Sequence, residues 1–236
     1  MSPADGHLDT MDQTTALPSG APPHRSSARA RPPLAHPALK PLLFVSCLLP
    51  FTWLLYGAIA DTLGANPAEA LIRSAGDWTL RFLCLTLAVT PLRQISKQPA
   101  LARFRRMLGL FTYFYACVHF LCYAWLDMGF EVGPIARDIA KRPFILVGTS
   151  CLLLLTPLAA TSFNAAIRAL GAARWRALHR TVYAVALLAL LHFFWMRAGK
   201  QDFAEVAVYA SIMALLLGWR VVAWVGSRRT AAARAL

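Results

Sequence analysis

The sequence predicts an all-α, polytopic membrane protein, a bundle of six transmembrane helices, and three observations carry that reading. The chain has 236 residues, 58% hydrophobic and 15% charged, whereas a soluble domain is about 45–50% apolar and about 25% charged. Six apolar runs follow one another, near 42–60, 76–93, 107–126, 143–162, 177–196 and 203–224. Each is close to the roughly 20 residues needed to cross about 30 Å of hydrocarbon. Finally, the basic residues gather between the runs rather than inside them, as loop charges that set topology do.

Taken in order, residues 1–40 come first and contain Pro18, Pro22, Pro23, Pro32, Pro33 and Pro37 but no apolar run. Such a segment cannot bury a core, so it is expected to be a disordered tail. It lacks the apolar stretch of a secretory signal, so the first run is expected to act as an uncleaved anchor. Residues 41–226 hold all six runs, and 227–236 form a short basic tail. Pro50, Pro91 and Pro157 fall within or near the ends of runs. Membrane helices tolerate this because neighbouring groups satisfy the freed carbonyls. No internal repeat stands out.

The net charge is +13, from 24 Lys+Arg against 11 Asp+Glu. In a soluble chain this would suggest nucleic acid; here it reads as topology. Seventeen of the 24 basic residues lie in the N-terminal tail, the second and fourth loops and the C-terminal tail, six lie in the other loops, and Arg81 lies within a run. The positive-inside rule then places both termini in the cytoplasm. The outer loops 61–75, 127–142 and 197–202 carry mixed charge, including Asp127, Glu131 and Asp138, and are the expected docking surface for a partner.

The five cysteines (Cys47, Cys84, Cys117, Cys122, Cys151) lie in apolar runs without a C-x-x-C pair, so zinc and dithiol chemistry have no support. Histidines inside spans are expensive and point to function. His119 lies in the third run, and His179 and His192 in the fifth. His119 stands about 18 Å and His192 about 22 Å into two parallel helices, at 1.5 Å per residue. Two imidazoles at one depth can clamp a single heme iron from both faces. His179 lies about 20 Å nearer the cytoplasm and would serve a second, inner heme. Arg105 precedes His119 by 14 residues, within about 40° of the same helix face, while Arg106 points about 140° away. Arg105 is therefore expected to face the inner site, paired with a heme propionate or weakly on the sixth side of the iron. Arg81, near the outer side, either binds a propionate of the outer heme or snorkels. An ideal helix would splay His179 and His192 by about 140°, so a shared crevice requires a local distortion. On the residues alone a different class stays open, a small transporter or assembly factor whose histidines bridge helices.

The segments RRMLGLFTYFYACVHFLCYAWLD (105–127), KRPFILVG (141–148), RWRALHRTVYAVALLALLHFFW (174–195) and TLAVTPLR (86–93) resemble the MsrQ (YedZ) family within the wider ferric-reductase-like group. The resemblance covers about residues 41–226. It implies a six-helix cytochrome b that takes electrons from the quinone pool, directly or through a flavin, and passes them to MsrP. MsrP is a periplasmic molybdopterin enzyme that reduces methionine sulfoxide in oxidised envelope proteins. The chain would thus be the electron-transfer subunit of a heterodimeric oxidoreductase rather than its catalytic subunit. The family's heme histidines fall on His119, His179 and His192, and its inner arginine on Arg105. Flavin mononucleotide (FMN) is associated with the family, without a recognisable site in this sequence. Relatives in the wider group carry a C-terminal flavin and nicotinamide domain. About a dozen residues follow the sixth run here, so the donor is expected to be a quinol, a bound flavin or a separate reductase. The alternative within the group is a stand-alone ferric or quinone reductase.

Overall fold

The computed structural model describes residues 36–199 and 201–233. Of the tail expected to be disordered, 1–40, residues 1–35 lie outside that range, and Leu39 and Lys40 already belong to the first helix. Every regular element among the described residues is helical: α1 (Leu39–Ile59), α2 (Pro67–Ile95), α3 (Ala102–Cys122), α4 (Val132–Lys141), α5 (Pro143–Ala160), α6 (Asn164–His179), α7 (Val182–Ala198) and α8 (Ala204–Ala233). A 3₁₀ turn at Pro99–Leu101 leads into α3, and a π turn at Tyr123–Asp127 ends it.

The chain is a multi-pass membrane protein. Five helical stretches are long and apolar enough to cross a bilayer: Leu39–Ile59, Pro99–Asp127, Pro143–Ala160, Asn164–Ala198 and Ala204–Thr230. The sixth column, α2, has the length, at 29 residues. It differs because it carries Glu69, Arg73, Asp77, Arg81 and Arg93. One face of it packs on protein, with Ala75, Leu80, Phe82, Leu83 and Leu87 all buried, while Leu85, Leu92 and Ile95 are exposed. By contrast α1 exposes Leu42, Val45, Leu49, Trp53 and Ile59. A helix that touches lipid must be apolar on its outer face, whereas one packed inside a bundle is relieved of that demand.

Local chemistry explains the element ends. Asn66 caps α2, its Oδ1 accepting from the Glu69 N–H at 3.1 Å while its Nδ2 donates to Glu69 Oε2 at 3.2 Å. Pro67 then occupies the first turn, where its missing N–H costs nothing. Two prolines inside helices are compensated from neighbouring helices. Beside Pro50 in α1, the Tyr115 hydroxyl of α3 accepts from the Phe51 N–H (3.0 Å) and donates to the Cys47 carbonyl (2.8 Å). It therefore sits inside one turn of the α1 ladder. In α2, Pro91 cannot donate to the Leu87 carbonyl four residues earlier, and Arg220 Nη2 of α8 donates to it instead.

Two helices lie where the sequence pattern suggested loops. α4 falls inside the outer loop 127–142; Ile135 and Ile139 share one face, with Arg137 and Asp138 offset from it. α6 occupies the stretch before residue 177, and Gly171 breaks it with φ 74° and ψ 154°. The fifth run is thus not one helix from 177: α6 ends at His179 and α7 begins at Val182. At the other end α8 continues to Ala233, beyond the expected 224.

Candidate functional site

The structure brings the rings of His119 of α3 and His192 of α7 close together, edge to face. Their ring centroids lie 6.1 Å apart with planes at 75°. Each ring is fixed by a second helix in the same manner. His119 Nδ1 lies 2.8 Å from the Ile72 carbonyl of α2, and His192 Nδ1 lies 2.6 Å from the Phe144 carbonyl of α5. A carbonyl only accepts, so each Nδ1 carries the proton and donates, leaving Nε2 with its lone pair free to bind a metal.

Four residues beyond each carbonyl stands a glycine, Gly76 and Gly148. A Cβ on Gly76 would come within 3.1 Å of His119 Cε1, and one on Gly148 within 2.8 Å of His192 Cε1. Side chains on a helix lean towards its N-terminus and cover the preceding turn. A side chain at position i+4 would thus sit over the carbonyl of residue i, and only glycine leaves it open to an imidazole. The two helices use one device twice.

These rings line a chamber of about 260 Å³. Its walls are largely apolar, with Leu80, Leu83, Leu152, Leu155, Val185 and Phe193, while Arg73, Asp77, Asp127 and Arg142 are its charged members. Arg73 pairs with Glu69 at 2.5 Å and Arg142 with Asp138 at 2.9 Å. Asp138 also accepts from the Tyr123 hydroxyl of the π turn at 2.8 Å. Arg81 does not line the chamber; it is exposed and its guanidinium lies 4.7 Å over the Trp78 ring.

The donor set fits iron porphyrin. Two imidazoles bonded to one metal from opposite sides, with bonds of about 2 Å and ring centres about 1 Å behind each nitrogen, stand about 6 Å apart. Among the described residues no cluster of three or more His, Cys, Asp or Glu could cage a bare ion. A macrocycle that brings its own nitrogens would ask the protein only for imidazoles such as those of His119 and His192.

His179 stands apart from that pair, in a second cavity of about 430 Å³ that also holds Arg105. Its Nδ1 lies 3.1 Å from the Trp175 carbonyl, and its ring stacks on the Trp175 indole at 3.9 Å. Trp175 in turn donates to the Thr161 carbonyl at 3.0 Å. His179 Nε2 is buried without a hydrogen bond. Three i to i−3 hydrogen bonds, by the N–H groups of Arg180, Thr181 and Tyr183, tighten the turn between α6 and α7. Each such step advances the chain by about 20° more than an α-helix. The turn between His179 and Val182 is thus where the chain departs from a single straight helix.

Arg106, expected to point away, also lines the second cavity and donates to Asn164 Oδ1 at 3.0 Å. Sequence reasoning missed the two glycines and Arg176, Arg180 and Arg220 of this cavity. The glycines carried a signal, since each costs an interior helix position about 1 kcal/mol relative to Ala and so calls for a packing reason.

Relatives of known name share this chain's sequence. A protein described as "Protein-methionine-sulfoxide reductase heme-binding subunit MsrQ" from Polaromonas naphthalenivorans is 70% identical over 83% of this chain and 90% of its own length. The chain belongs to the MsrQ family. The MsrQ of Herminiimonas arsenicoxydans is 50% identical over 81% of the chain and 88% of itself, and that of Ralstonia nicotianae 49% over 86% and 94%. The family model for the ferric reductase like transmembrane component matches residues 75–190, which include His119 and His179. No solved structure matches the chain.

Proposed function

We propose that this chain, like the MsrQ relatives named for it, binds heme, and that His119 and His192 hold one heme b between them. The observation that carries the reading is the matched pair of rings, 6.1 Å apart, each with Nδ1 tied to a backbone carbonyl. Bound heme supplies reversible one-electron chemistry at its iron. The chain's residues do the rest: α2 and α5 hold the imidazoles in one tautomer, and the apolar walls keep water from the metal. His179 with its unpartnered Nε2 is the ligand we propose for a second, inner heme, with Arg105 in the same cavity.

In this reading the helical bundle over residues 41–226 lies in the bacterial inner membrane with both termini cytoplasmic, as the distribution of Lys and Arg supports. It is the electron-transfer subunit linking the quinone pool, directly or through FMN, to a periplasmic MsrP-like reductase that repairs methionine sulfoxide. Arg73 and Arg142 are the cations that line the chamber of His119 and His192, and Arg81, over Trp78, lies outside that lining.

The test is a heme count per chain with reduced-minus-oxidised spectra of the purified protein. A colourless, folded protein from heme-replete cells would sink the proposal. The match to the ferric-reductase model favours one second reading, a stand-alone ferric or quinone reductase. Reoxidation of the reduced protein by an MsrP-like enzyme, but not by ferric citrate, separates the two.

A further inference from the structure

The chamber of His119 and His192 and the cavity of His179 meet back to back, and two leucines line both: Leu83 of α2 and Leu155 of α5. Each is the point where the wall of its helix changes sides. On α2, Leu80 lines only the first chamber and Thr86 only the second cavity. On α5, Leu152 lines only the first and Leu158 only the second. Both intervals span six residues, about 9 Å of helix rise, and the shared leucine sits at the centre of each. The other two wall helices change over without a shared residue, α3 between Ala116 and Thr112 and α7 between Val185 and Val182.

A bilayer insulates with about 30 Å of hydrocarbon. Where two cavities enter one bundle from opposite ends, the insulation left between them is the layer of about 9 Å around the shared leucines. Leu83 and Leu155 suit that duty. They are 1% and 5% exposed and belong to one buried apolar cluster with Leu80, Ala116 and Val185. The hydroxyls next along the wall are committed to their own helices. Thr86 donates to the Phe82 carbonyl at 2.7 Å and Thr112 to the Leu108 carbonyl at 3.0 Å. An ion or hydrated proton is expensive to place in such a layer, whereas an electron tunnels between sites and needs no group to hold it on the way. We infer that Leu83 and Leu155 form the insulating septum of the bundle, an apolar partition one side chain thick that stops protons and ions and lets electrons across. The passage of electrons rests on the heme binding proposed above; the barrier to ions does not.

The experiment is proton flux into liposomes holding the full-length protein from heme-replete cells. A potassium gradient with valinomycin drives the flux, and a trapped pH-sensitive dye reads it. Leu83→Ser/Leu155→Ser should raise the rate roughly tenfold or more over the unmodified chain, because a hydroxyl lowers the cost of bringing water and charge into the layer. Leu80→Ser/Leu158→Ser is the matched control. Both of its residues are buried, at 5% and 7% exposure, and each lines one cavity alone, so the flux should stay at the unmodified rate. Leu83→Met/Leu155→Met disturbs the packing but keeps the layer apolar, and should stay tight as well. An unchanged flux in the first variant, or an equal rise in the first and the control, overturns the inference. Should the first double variant not fold, Leu155→Ser alone against Leu158→Ser alone gives the same comparison. The heme spectrum of the unmodified protein is read on the same vesicles. Its absence would sink the proposed function, while the flux comparison decides the barrier by itself.

Discussion

Gly148 lies directly against the His192 ring: a Cβ there would stand 2.8 Å from Cε1 and 2.9 Å from Nδ1. The carbonyl that the ring uses belongs to Phe144, one helical turn earlier. Gly148→Ala should therefore push the imidazole off that carbonyl even though alanine favours the helix. The expected outcome is a large loss of heme per chain, read by absorbance against protein. Gly218→Ala is the control. Its Cβ would meet nothing within 4 Å and it lines neither cavity, so it should keep the heme and gain up to about 1 kcal/mol from helix propensity.

His119→Ala and His192→Ala should each abolish the same low-spin heme signal, because the two rings share one chamber. His179→Ala should leave that signal in place, since His179 lines the other cavity. If the first two variants removed different hemes in spectra recorded at low temperature, the shared-ligand reading would be wrong.

Tyr115→Phe deletes the hydroxyl that bridges Phe51 N–H and Cys47 C=O in α1. With two buried backbone groups left unpaired, the loss should be about 1–3 kcal/mol. Unfolding in detergent followed by circular dichroism measures it. A loss near zero would mean that α1 closes its own ladder despite Pro50.

Arg220→Met leaves the Leu87 carbonyl without a donor, since Pro91 has no N–H to offer. A cost of about 1–3 kcal/mol is expected. Pro91→Ala restores a backbone donor, so Arg220→Met should cost markedly less in that background. Additive effects in this double-mutant cycle would show that the two residues are uncoupled.

What the sequence determined by itself is everything that hydropathy and composition carry locally. The membrane class, the helical spans and the three histidines inside them were legible, because a residue's transfer cost into lipid depends on the run it sits in. The limits of that signal show at α4 and α6, which are helices without an apolar run. The equal depth of His119 and His192 was legible too, because rise per residue is fixed. That their rings meet, and that Ile72 and Phe144 hold them, was decided by how α2 packs on α3 and α5 on α7. The break between His179 and Val182 was likewise invisible, since the i to i−3 bonds that tighten it leave no mark on composition. The gathering of Arg105, Arg106, Arg176, Arg180 and Arg220 around one cavity is a tertiary fact of the same kind. Along the chain they read as ordinary loop charges; only the tertiary fold brings them around one cavity.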